Sequence, residues 1–195
     1  MTRQSLFAAS TVGVLLLGAA ACGESSSPDP RGALHYFVSS TLTNDRPANM
    51  VCNSIFQDLV YLPDQASAPS DARPGTTYAN GENGLQVSCT VAGADDGFSV
   101  QLKFSNGDTQ FALRGDVGAD GQGSGLTMDL SQLDWFGSLS SRAVNGQACT
   151  LTTTGGGYFI ERGAVYGSFD CPVLTSTPDT ACRVTGHVFF EQCSG

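Results

Sequence analysis

Apolar and polar residues alternate most cleanly at the centre of the chain. Phe98-Ser-Val-Gln-Leu-Lys-Phe104 has period two, and so does Gln110-Phe-Ala-Leu-Arg114. That period marks a strand with one face buried. Between the two runs lies Ser105-Asn-Gly-Asp108, and Asn-Gly signals a hairpin because both central residues of a type I′ turn need positive φ. A two-residue loop at Asn106-Gly107 predicts that Phe104 faces Thr109, Leu102 faces Phe111 and Val100 faces Leu113. The apolar residues then share one face, with Gln101, Lys103, Gln110 and Arg114 on the other. A slip of one residue would destroy that match. Upstream, Leu85, Val87, Cys89 and Val91 alternate in the same way, and a turn over Gly93-Ala-Asp-Asp-Gly97 sets Val91 against Phe98 and Val87 against Leu102. Downstream, Leu126, Met128 and Leu130 form a fourth row after the loop Asp116 to Gly123. The pattern predicts a four-strand meander with one apolar face.

A single sheet cannot bury such a face, so further strands must cover it. Cys149–Thr154, Tyr158–Cys171 and Ala181–Cys193 supply them, with Gly155-Gly156-Gly157 as a turn, and an opening strand at Leu34–Leu42 joins one edge. The expected fold is mainly β: an antiparallel β-sandwich or flattened barrel, braced by disulfides, with one or two short helices. The helices are expected at Asn49–Leu62, where Cys52, Ile55, Phe56 and Leu59 recur at helical spacing before Pro63, and as a brief turn from Ser131 through Leu139. Ala66 to Gly84, rich in Asx, Pro and Gly, reads as a surface loop.

The amino terminus has a different pattern. Arg3 precedes an apolar run, Leu6 to Ala21, and Cys22 and the polar stretch GESSSPDPRG follow. The run falls short of the ~20 residues that cross a bilayer as a helix and reads as a cleavable export signal. Ala19-Ala20-Ala21-Cys22 resembles the lipobox of bacterial lipoprotein precursors, although Ala19 stands where that family usually has Leu. The resemblance covers the first 22 residues. It implies that Cys22 becomes the first residue of the mature chain, carries diacylglycerol and anchors the protein to the membrane. Gly23 after the cysteine is similar to an outer-membrane address. The expected organisation is a signal peptide over 1–21, a lipidated cysteine and flexible tether over 22–32, and a single β-domain over 33–195. No family is recognised for the domain itself.

Charge narrows the partners. The chain carries 9 Lys and Arg against 18 Asp and Glu, a formal net charge of −9, and Lys103 is its only lysine. Phosphate backbones would be repelled, which argues against nucleic acid as a partner. The expected partners are the membrane, through the lipid, and an envelope protein or glycan.

Seven cysteines occur. With Cys22 lipidated, Cys52, Cys89, Cys149, Cys171, Cys182 and Cys193 remain, an even set suited to three disulfides in an exported domain. Cys182 and Cys193 lie too far apart along one strand to bridge. Cys171 with Cys182, across the loop PVLTSTPDTA, is the preferred pair. Cys89 with either Cys52 or Cys193 stays open. No Cys-x-x-Cys or His-x₃-His spacing points to zinc.

No motif names a chemistry. Asp116-Val-Gly-Ala-Asp120-Gly-Gln-Gly-Ser124 offers oxygen ligands, but not at the spacing of a calcium loop. His35 and His187 are the only histidines, and no Gly-x-Ser-x-Gly elbow accompanies them. Neither catalytic residues nor a cofactor or metal are assigned. Aromatic pairs in connections, Trp135-Phe136 and Tyr158-Phe159, are the candidate ligand contacts, since exposed rings on β-domain loops stack on sugars. The expected role is a lipid-anchored, non-catalytic binding or structural module of the envelope. An extracellular glycan or small-ligand binder is the second reading and a hydrolase the last.

Overall fold

The computed structural model describes residues 28–40, 52, 57–61, 77–107, 109–132, 137–143, 145–176 and 180–195. Twelve strands among them join in one sheet: β1 Arg31–Ser40, β2 Gln57–Tyr61, β3 Tyr78–Ala79, β4 Gln86–Ala94, β5 Gly97–Asn106, β6 Thr109–Gly118, β7 Gln122–Gln132, β8 Gly137–Ser140, β9 Cys149–Thr152, β10 Phe159–Glu161, β11 Ala164–Ser176 and β12 Thr180–Glu191. The strand order is β2-β1-β12-β11-β8-β7-β6-β5-β4, and every strand pairing is antiparallel. β9 fills the seam beside β8, pairing with both β7 and β11. The sheet curls into a small, barrel-like closed structure, the second of the two expected architectures.

The meander β4 to β7 follows the alternation. Val87, Cys89, Val91, Val100, Leu102, Phe104, Phe111, Leu113, Leu126, Met128 and Leu130 all point into one core. The register differs from expectation by two residues. Asn106 pairs with Thr109, which puts Phe104 opposite Phe111 and Leu102 opposite Leu113. Likewise Val91 pairs with Val100 and Val87 with Phe104. Alternation fixes only the parity of a register, so a slip of two keeps every side chain on its face. The hairpin turns one residue later than Asn-Gly, with Gly107 at φ +52°.

Two bulges adjust the faces where the pattern breaks. Along β7 the registers with β6 and β9 both shift near Gly125, which is exposed at φ +76°. The extra residue returns Leu126 to the core after Gly123; a glycine supplies the left-handed backbone such a bulge needs. On β11 the shift lies between Cys171 and Leu174, around Pro172, which has no N–H to give the ladder.

Closure uses the carboxy terminus. Thr90 and Ser194 form a parallel bridge, Val91 N–H donates to the Ser194 carbonyl at 2.8 Å, and Gly163 N–H donates to the Val91 carbonyl at 3.0 Å. Near the other end of β4, Val87 N–H donates to Asn80 Oδ1 at 3.0 Å. The outer edge of β4 is therefore partly occupied along its length, which limits its use as a template for strand addition.

Three disulfides brace the closed sheet: Cys52–Cys182, Cys89–Cys193 and Cys149–Cys171. Cys89–Cys193 takes one of the two pairings left open. Cys171–Cys182 is incorrect. The β11 bulge places Cys182 opposite Leu174, while Cys171 lies opposite Val184 and bonds across to Cys149 at the end of β9.

The helices need correction too. The end of the expected helix, Gln57–Tyr61, is strand β2 against β1, in keeping with the β-branched Val60 in that run; most of Asn49–Phe56 lies outside the described residues. Ser131–Gln132 ends β7 and Gly137–Ser140 forms β8, so the strand pairing prevails over the capping pattern there. The described residues contain no α-helix, only a single 3₁₀ turn at Glu82–Gly84. β1 begins at Arg31, two residues before the expected start of the domain, and pairs with β12.

Candidate functional site

The outward face of the meander builds a broad concavity. Outward residues on successive strands fall into lateral rows because the registers are continuous: Ser88, Lys103, Ala112, Asp129 and Ser140 form one, and Gln86, Ser105, Gln110, Ser131 and Ser138 the next. Together with Asn80 and Gly81 they line a groove of ≈ 990 Å³, near the top of the usual range for ligand sites. It crosses five strands, about 19 Å at ~4.8 Å per strand. Its apolar lining residues, Leu85, Val87, Phe104, Phe111, Leu130 and Leu139, belong to the core and are at most 3% exposed. The groove therefore presents hydroxyls, amides and backbone amid a larger share of carbon surface, to which Ala112 and the stems of Gln86, Lys103 and Gln110 belong.

Two charged residues line it, Lys103 and Asp129. Asp129 accepts hydrogen bonds from Ser140 Oγ at 2.6 Å, Arg114 at 3.0 Å and Arg142 at 2.5 Å. Partial burial pushes its carboxyl up, but the Ser140 hydroxyl and the two guanidiniums together outweigh burial and hold its pKa below the ordinary carboxylate value. Two arginines thus neutralise one carboxylate with a charge to spare. Lys103 is exposed and makes no ion pair or side-chain hydrogen bond among the described residues.

A second cluster lies on the outer face of β1, β12 and β11. His35 and His187 sit opposite each other in the register and stack with ring centroids 5.7 Å apart. Tyr158 lies 2.5 Å from His187 Nδ1 through its hydroxyl. Burial raises the Tyr158 pKa, so the hydroxyl keeps its proton, and the direction of this hydrogen bond follows the tautomer of His187. Burial, and then the neighbouring His35, lower the pKa of His187. Ala33, Tyr166 and Phe189 form a small apolar cluster alongside, with Tyr158 and Phe159 packed against it. Burial and the adjacent Glu191 carboxylate, which accepts from the Tyr166 hydroxyl at 3.0 Å, push the Tyr166 pKa up.

The structure places the expected site residues unevenly. His187 points away from Val184 and Val188, and its side-chain hydrogen bond goes to Tyr158, not to a serine and carboxylate. In the Asp116–Ser124 segment Asp120 accepts from Gln122 N–H across the β6–β7 turn, and no group of three or more metal-ligating side chains forms among the described residues. Tyr158 and Phe159 join the outer aromatic cluster and lie away from the groove. Trp135, Phe136 and Cys22 lie outside the described residues; Trp135 and Phe136 belong to the connection between β7 and β8, whose paired residues Ser131 and Ser138 line the groove. The sequence reading missed Asp129, Arg142 and the groove itself. Lys103 and Arg114 were legible as outward residues, but a concavity depends on how the sheet curls. No protein-family model matches this chain, and no curated protein or solved structure is significantly similar to it.

Proposed function

We propose that the chain is an exported lipoprotein, anchored through Cys22, whose β-domain is a non-catalytic binding module with the groove over β4 to β8 as its working surface. The groove carries this reading: a wide concavity with hydrogen-bonding groups in register across five strands. The anchoring half is supported by the cysteines. All six others are paired, which leaves Cys22 as the single cysteine without a partner in this set. Residues 1–21 supply the export signal, and the tether expected over 22–32 runs from Cys22 into the start of β1.

Filling the groove tests its role. Ala112 lies at its centre, between Lys103 and Asp129, and faces outward. Ala112→Trp should leave thermal unfolding nearly unchanged while abolishing retention on immobilised cell-envelope polysaccharide. Equal retention of the variant and the natural protein would show that the groove is not the working surface, and no retention of either would count against the module.

A further inference from the structure

We infer that the groove takes an acidic oligosaccharide, a chain of sugars bearing uronate carboxylates, and that Lys103 is the residue that meets a carboxylate. This rests on the reading of the groove as a binding surface and adds the chemistry of its ligand.

The hydrogen-bonding inventory favours a polyhydroxylated ligand. Ser88, Ser105, Ser131 and Ser138 each offer a hydroxyl that both donates and accepts, and Gln86 and Gln110 offer amides that do the same. Sugar hydroxyls have that dual character. The groups recur at strand spacing along the groove, so successive sugar units meet similar partners.

The same surface suits a peptide poorly. A peptide anchored by side chains needs apolar pockets, and the apolar residues beneath this groove are directed into the core. A peptide anchored by its backbone needs a free strand edge, whereas the strands under the groove are paired with their neighbours and the outer edge of β4 meets Asn80 and Ser194.

Charge supplies the acidic character. The chain as a whole is at −9 and repels anions. Against that field, the groove carries the only lysine, exposed and without an ion-pair partner among the described residues. Beside it, Arg114 and Arg142 share the one carboxylate, Asp129. Among these four side chains the balance is two positive charges in excess. A neutral glycan gains nothing from such an arrangement, whereas a uronate gains a charge-assisted hydrogen bond from Lys103.

Calorimetric titration of the mature protein with a galacturonic acid hexamer and with the neutral galactose hexamer tests the inference. The acidic hexamer should bind at least tenfold more tightly at low salt, with the difference shrinking as salt is added. Lys103→Gln should weaken the acidic hexamer by roughly tenfold, the scale of one charged hydrogen bond, and leave the neutral one unchanged. Lys103 is exposed, so the variant should fold normally, and an unaltered melting curve checks this. Equal binding of the two hexamers, or acidic binding unmoved by Lys103→Gln, would overturn the inference while leaving the binding module intact. Binding of only the neutral hexamer would also overturn it. Binding of neither would overturn the inference and count against the module together.

Discussion

The two long-range disulfides interlock, and their removal should show it. Cys52–Cys182 spans 130 residues and Cys89–Cys193 spans 104, but each shortens the loop closed by the other. With Cys89–Cys193 intact, the path from Cys52 to Cys182 runs from Cys52 to Cys89, across the bridge, and from Cys193 back to Cys182. It is about 48 residues, and the converse path is the same. On the chain-entropy account, deleting either bridge as a Cys→Ala pair should cost about 4 kcal/mol, against about 5 for a 130-residue loop closed alone. Cys149–Cys171 closes a 22-residue loop whichever others are present and should cost about 3.4 kcal/mol. Deleting both long bridges should cost about 9 kcal/mol, comparable with the whole stability of an ordinary domain. Urea unfolding under non-reducing conditions, followed by far-ultraviolet circular dichroism, measures each difference. A single Cys182→Ala change should also free Cys52, and not Cys171, for alkylation. A cost under about 1 kcal/mol for either long bridge, or a freed Cys171, would refute the interlocked arrangement.

Three further outcomes are expected. Gly186→Ala should destabilise the domain by about 1–3 kcal/mol in thermal or urea unfolding, because a Cβ there would meet the His35 carbonyl, Phe169 Cζ and Tyr36 Cα inside contact distance. Leu102→Ala, at the fully buried centre of the meander, should cost about 2–5 kcal/mol by the same measurement. Stability should fall as pH drops below about 6.5, the ordinary histidine value. The folded pKa of His187 is lowered, so the unfolded chain takes up the proton first, and its contribution is complete above the unfolded value and lost as pH falls through the folded one. His187→Gln should flatten that part of a pH–stability curve, and an unchanged curve would remove His187 as its source.

Much of the fold was legible because one physical signal dominated it. Strict alternation placed four strands and the inward face of each, and the six cysteines announced three bridges. The same signal could not tell one even register from the next, so both meander hairpins were misplaced by two residues. Cys171 was assigned to Cys182 because the two flank one loop. A bulge at Pro172 moves their strands out of step, and bulges leave little trace in local alternation. The helical spacing at Cys52, Ile55, Phe56 and Leu59 did not foresee that Gln57–Tyr61 would pair with β1; a five-residue segment takes its state from the strand it meets. The site was less legible than the fold. Lys103 is visible in the sequence as a lone lysine on a polar face, yet its neighbours Asp129 and Arg142 arrive from β7 and the end of β8, through pairings between strands.

The central claim is a domain held by three disulfides and tethered through the one cysteine they leave. Intact mass of the mature protein, taken after alkylation with and without prior reduction, tests it most directly. The account predicts a chain beginning at Cys22 with acyl mass attached, no alkylation before reduction and six alkyl groups after it. A mature chain without acyl mass that carries one alkylatable thiol before reduction would contradict it.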